Sequence, residues 1–149
     1  MVRPTVPGIE RLQNSSSIWL VQRRPLLEAG ANTALPRTSC VKRYLGALTA
    51  GDCIVYWLSG ARAGVYALGQ IAAGRPSPLR TPEEATAPSR RPAEIPLDLF
   101  VDLRDRPVLR SQLELDTRFA AESIIRQPFG ANPHRVSVPA FETILEHLV

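Results

Sequence analysis

Residues suited to metal binding, acid-base catalysis or membrane insertion are scarce in this chain. It has two cysteines, Cys40 and Cys53, and two histidines, His134 and His147. The cysteines form no C-x-x-C pair, and the four residues match no common zinc spacing. No metal site and no cofactor are therefore expected. Cys53 lies in an apolar run and reads as a small buried hydrophobe. No apolar stretch approaches the roughly 20 residues of a membrane helix, so no membrane association is expected. The opening MVRPTVPGIERLQ has no apolar core of signal type, and the expected location is cytoplasmic. There is no phosphate-cradling G-x-x-x-x-G-K, no dinucleotide-binding glycine fingerprint and no G-x-S-x-G elbow. With both histidines late in the chain, His134 in an NPHR turn and His147 in the last helix, catalysis is not the expected activity.

What is present is a domain's worth of core. At 149 residues and 44% hydrophobic content the chain suits one folded domain and argues against disorder. The net charge is +4, and every basic side chain except Lys42 is arginine. A balance this modest is compatible with nucleic acid and does not by itself establish it.

Along the chain, residues 1–16 are polar with scattered prolines and read as a flexible arm before a single domain over residues 17–149. Ile18 to Arg23 (IWLVQR) reads as a strand with Trp19 and Val21 on one face. Val41, Tyr44, Leu45 and Leu48 have the spacing of a short helix or tight turns. GDCIVYWLSGARAGVYALGQI, residues 51–71, reads as two strands about a glycine-rich turn. The first is apolar on both faces, as expected inside a small barrel or beneath helices. Gly64 and Gly69 suit places where the backbone bends or another element comes close. Residues 74–96 hold six of the 14 prolines and read as a long internal loop.

Beyond that loop, Ile95, Leu97, Leu99, Val101 and Leu103 alternate as in a strand with one buried face. Residues 107–115 suggest a short helix, and 124–127 a short extended piece. The last helix is the clearest: Ser137 can cap it, Pro139 is tolerated in its first turn, and Phe141, Ile144, Leu145 and Leu148 share one side. The sum is an α+β domain with a small, strongly bent mixed sheet flanked by helices.

Flat and small polar side chains gather near strand ends: Trp19, Trp57 and Ser59, Ser39 in the loop between the first two strands, and Phe129 with Asn132 in the PFGANP turn. Such a set can stack on a base and read its edge, although on composition alone a core or turn-packing role is the favoured explanation for any one of them. Arginine forks grip phosphates, and Arg37, Lys42, Arg43, Arg62, Arg126 and Arg135 are distributed around these segments.

The order and spacing of IWLVQRRP, AGDCIVYWLSGARAGVYALGQIAAG, LDLFVDL and IIRQPFGANPHRVSVPAFETIL resemble the EVE domain of the PUA-like superfamily, related to YTH and ASCH domains. The resemblance implies a PUA-like pseudo-barrel and a pocket for a modified nucleobase, 5-methylcytosine or 5-hydroxymethylcytosine in DNA, bound by base flipping. By motif position it assigns Trp19, Gln22, Ser39, Trp57, Leu58, Ser59, Phe129 and Asn132 to that pocket. The first strand ends in Gln22-Arg23-Arg24-Pro25 where the family often has Lys-Ser-Glu-Pro. LPRTSCVKRY replaces the usual signature before Gly-Asp, which places the chain nearer the restriction-associated, defence-linked branch. Any cleavage would then belong to a nuclease or motor partner. The alternatives are an RNA-binding PUA-like domain and a nucleotide-processing enzyme using the same cavity.

Overall fold

The computed structural model describes Leu12 and residues 17–24, 35–42, 44, 46–72, 93–127 and 132–148. The strands are β1 (Ile18–Arg23), β2 (Thr38–Val41), β3 (Cys53–Leu58), β4 (Gly64–Ile71), β5 (Ala93–Asp102), β6 (Val108–Leu109) and β7 (His134–Arg135). The helices are α1 (Arg110–Leu113), α2 (Thr117–Ala120), α3 (Ser123–Arg126) and α4 (Val138–Glu146). One mixed sheet runs β2-β5-β4-β3-β1-β7, with β6 beside β4. Among the described residues, only β1 and β3 pair in parallel, and every other pairing is antiparallel. The sheet curls into a half-barrel, the PUA-like α+β architecture expected from the sequence.

Curling gives the sheet two apolar faces, each with its own core. The inner face carries Trp19, Val21, Val41, Ile54, Tyr56, Ala67, Ile71, Ile95 and Leu97. The outer face packs Leu20, Cys53, Val55, Trp57 and Leu68 against Leu113, Phe119, Ile124, Phe141 and Ile144 from the four helices. Strands buried on both sides read as continuous apolar runs, as CIVYWL does. Burial of the Cys53 thiol pushes it up to about 12, with the Asp52 carboxylate adding to the shift, so it is inert packing.

Two bulges create the bend. The β4–β5 register slips between Leu68 and Gly69, and the β3–β4 register between Tyr56 and Trp57. Along β5 the slip redirects the alternation, so Ile95, Leu97 and Leu99 face the inner core while Val101 and Leu103 join the outer one. The single buried face expected over 95–103 is therefore two half-faces. Gly69 is required at this point, because a Cβ there would collide with Asp98 O and Leu99 Cα. A Cβ on Gly64 would likewise strike Val108 O, where β6 crosses β4.

Helix α4 forms as its sequence dictates. Ser137 Oγ accepts from Ala140 N at 3.3 Å, Pro139 sits in the first turn, and Phe141 and Ile144 are buried. Three local expectations change. Residues 124–127, expected to be extended, lie mostly in α3, where Ile124 buries itself as a helical side chain. Only residues 110–113 of the expected 107–115 helix are helical, because Val108 and Leu109 pair with β4. Helix α2, which buries Phe119, has no counterpart in the sequence expectations. Leu12 is buried in the outer core, and the rest of the expected N-terminal arm lies outside the described residues, as does most of the 74–96 loop. Among the described residues, no helix is long and apolar enough to cross a membrane.

Candidate functional site

The two tryptophans lie on opposite faces of the sheet. The parallel register sets Trp19 beside Ile54 and Gln22 beside Trp57. Side chains alternate along each strand, so Trp19 turns inward with Ile54, and Gln22 turns outward with Trp57. The structure therefore does not bring Trp19 and Trp57 into one wall.

On the outer face, Trp57 stacks on Phe119 with ring centroids 6.2 Å apart and planes 10° from parallel. Beside it runs a polar chain. Ser59 Oγ donates to Gln22 Oε1 at 3.3 Å, Gln22 Nε2 lies 3.4 Å from His134 Nε2, and Ser123 Oγ lies 2.8 Å from His134 Nδ1. With Gln22 Oε1 taken by Ser59, the amide presents its NH₂ to His134. Nε2 then accepts and Nδ1–H donates to Ser123. His134, expected on the surface, is 1% exposed with both ring nitrogens engaged. It pairs with Leu20 in β7, whose outward side chain lies in the helix-covered core.

Asn132 joins the ends of the curled sheet. Its Oδ1 accepts from Gln22 N at 2.7 Å, and its Nδ2 donates to Gln22 O at 2.8 Å and to Cys40 O at 3.4 Å. Its own carbonyl accepts from Lys42 N at 2.9 Å. The side chain thus imitates a strand residue, pairing with β1 while the backbone and the amide hold β2. Both ends of the amide expected to read a base edge are engaged by backbone. The Asn132–Pro133 peptide is cis.

The inner face presents a different arrangement at Trp19. The Asp52 Oδ2 accepts from Trp19 Nε1 at 3.0 Å and from Thr49 N at 3.0 Å, fixing the indole edge and the turn before β3. That turn needs Gly51, at φ 92°. The Arg135 guanidinium lies 4.8 Å from the Trp19 ring centroid, and the Tyr44 ring lies 5.2 Å away, tilted by 42°. Trp19 is fully buried, whereas Arg135 and Tyr44 are exposed. Arg23, at the end of β1, brings its positive charge near the Tyr56 hydroxyl on this face. Burial raises the Tyr56 phenol, and Arg23 partly opposes that rise.

The remaining expected site residues scatter. Ser39 lies in β2 rather than a loop, paired with Ile95, because the 38–41 segment completes the sheet against β5. Leu58 packs half-buried on the inner core. Phe129 and Arg43 lie outside the described residues. Arg37 and Lys42 are exposed at the two ends of β2, Arg62 is exposed in the β3–β4 turn, and Arg126 is exposed at the end of α3. Among the described basic residues expected to meet phosphate, Arg135 lies over Trp19. Sequence reasoning missed Tyr44 and Asp52 as partners of Trp19. The Gly51-Asp52 pair just before β3 is the visible signal. Among the described residues, no group of three or more His, Cys, Asp or Glu side chains could hold a metal ion.

No protein-family model and no curated protein matches the chain. Solved structures do. A hypothetical protein from Leishmania major superposes with a TM-score of 0.62 at 17% identity, over 92% of this chain and 96% of that one. Rpa0253 from Rhodopseudomonas palustris gives 0.60 at 16% identity, over 87% and 91%. The human THYN1 protein, solved in complex with 5-methylcytosine-containing DNA, gives 0.60 at 13% identity, over 89% and 97%. At these identities the likeness concerns the fold.

Proposed function

Because the chain has the fold of an EVE-like domain of the PUA superfamily, we propose that it is a non-enzymatic module that binds nucleic acid through a modified base, 5-methylcytosine or 5-hydroxymethylcytosine in DNA. The observation that carries the reading is the Trp19 site. There a carboxylate fixes the indole edge and an exposed guanidinium lies over the ring. A human protein of the same fold has been solved with 5-methylcytosine-containing DNA.

The chemistry follows from these parts. A flipped base costs a few kcal/mol to unstack, and one aromatic stack returns about 1–3 kcal/mol. Arg135 supplies positive charge beside that stack for a phosphate flanking the base, which fixes register without reading sequence. A methyl group in an apolar site adds about 1–3 kcal/mol, so preference for the modified base is about ten- to two-hundredfold. Binding without catalysis is the better reading, because His134 is buried with both ring nitrogens engaged.

The test is competition binding at fixed salt among duplexes holding cytosine, 5-methylcytosine, 5-hydroxymethylcytosine or 6-methyladenine, with single-stranded RNA as a further competitor. The expected result is preference for a modified-cytosine duplex. Equal binding to all duplexes would refute the reading, and preference for the RNA would move the protein to RNA recognition.

A further inference from the structure

Tyr44 combines three features. Its ring lies against Trp19 at 5.2 Å, but tilted by 42° rather than stacked. It is 46% exposed, although the indole beneath it is fully buried. Its backbone has φ 60°, a left-handed conformation disfavoured for any residue bearing a Cβ.

The supports around it are unequal. Trp19 stays in place through its strand and through Asp52, whose Oδ2 also takes Thr49 N. The turn carrying Tyr44 is closed by bonds from Ala47 N and Leu48 N to the Tyr44 carbonyl. A Cβ on Gly46, within that turn, would meet nothing within 4 Å. A turn that holds an exposed residue in a disfavoured conformation can yield without disturbing the fixed indole. The Arg135 guanidinium also lies 4.8 Å from the indole centroid.

We propose that Tyr44 is a displaceable cover: its ring occupies a stacking site on Trp19 that a planar heteroaromatic ring bearing a phosphate, a nucleotide base, takes over on binding, with Arg135 meeting the phosphate. The proposal rests on the reading of the Trp19 site as base-binding and adds which side chain gives way. Displacement releases the Tyr44 backbone from its left-handed conformation while the incoming ring gains a flatter stack than the tilted phenol has. Tyr44 therefore opposes binding in the free protein, contrary to the usual role of an exposed aromatic as a platform.

The experiment uses the full chain carrying Trp57→Phe, which leaves Trp19 as the one tryptophan. Tyr44→Ala and Tyr44→Gly are compared with Tyr44→Phe. Glycine adopts the positive φ freely, so at least one ring-deleting variant keeps the turn. The first readout, with no ligand, is acrylamide quenching of Trp19 fluorescence. The second is the affinity for 5-methyldeoxycytidine monophosphate. Ring deletion is expected to raise the quenching constant clearly and to tighten nucleotide binding by roughly two- to tenfold, the worth of one aromatic pair. Tyr44→Phe should match the parent in both. Unchanged quenching would overturn the proposal, and so would raised quenching with weaker or unchanged nucleotide binding. If quenching and affinity both rise while the parent shows no preference for methylated over unmethylated DNA, the cover stands and the modified-base reading falls.

Discussion

The two tryptophans of this protein are almost equally hidden, at 0% and 2% exposure, yet their surroundings differ in kind. Trp57 stacks nearly parallel on Phe119 within the helix-covered core. Trp19 is held by a carboxylate at its edge, with an exposed arginine and an exposed tyrosine against its ring. Solvent exposure alone does not separate them. The neighbours do: a ring enclosed by the core contributes stability, while a ring covered by movable, exposed side chains can change partners. In the proposed function the outer face is accordingly the scaffold and the inner rim the binding surface.

The sharpest way to break that division is Trp57→Ala. Loss of a buried aromatic should lower stability by about 3–5 kcal/mol in urea unfolding, with Phe141→Ala on the same face in the same range. A loss below about 1 kcal/mol would show that the outer face does not depend on the Trp57–Phe119 stack. Next comes Gly69→Ala, which forces a Cβ into the Asp98–Leu99 backbone at the bulge that divides the faces. A cost of about 1–3 kcal/mol is expected. A neutral result would mean that the bulge rearranges freely.

Asn132→Ala removes the clip between β1 and β2 and leaves the Gln22 backbone N–H and C=O unpaired by side chain. It should cost about 1–3 kcal/mol and raise amide exchange at Gln22. Exchange at Gln22 that matches the parent would contradict the clip. The smallest effect concerns the exposed Arg118, which joins Asp116 and Glu146 between α2 and α4. Arg118 hydrogen bonds hold Asp116 down at about 2, from 3.8, and lower Glu146 as well. The folded values lie below the unfolded ones, so the contribution is full above about pH 4 and is lost as pH falls toward 2. Arg118→Ala should lower the urea midpoint slightly at neutral pH, leave it nearly unchanged at pH 2, and so flatten the fall between pH 4 and 2. A parallel fall in both proteins would place the acid sensitivity elsewhere.

Much of this architecture is legible in the residues, because local periodicity and caps encode it. IWLVQR, CIVYWL and GVYALGQI are strands at nearly the expected bounds, and Ser137 with Pro139 starts the last helix as its chemistry dictates. The candidate site is less legible, because it depends on register and curvature. Shifting β1 by one residue against β3 would put Trp19 and Trp57 on one face, and nothing local in IWLVQR specifies which pairing forms. The bulge at Phe100 likewise breaks an alternation that looks uninterrupted over 95–103. His134 and Ser39 were misplaced for a related reason. Each sits in a short strand created by long-range pairing, β7 on β1 and β2 on β5, with little propensity signal of its own.

The division between the faces can be tested in the unmodified sequence by labelling both tryptophans with 5-fluorotryptophan and assigning the two fluorine signals through Trp57→Phe. The protein is then titrated with a duplex containing one 5-methylcytosine. The account predicts that the Trp19 signal shifts on binding while the Trp57 signal stays at its free position. A shift of Trp57 with Trp19 unmoved would contradict it and place recognition on the helix-covered face.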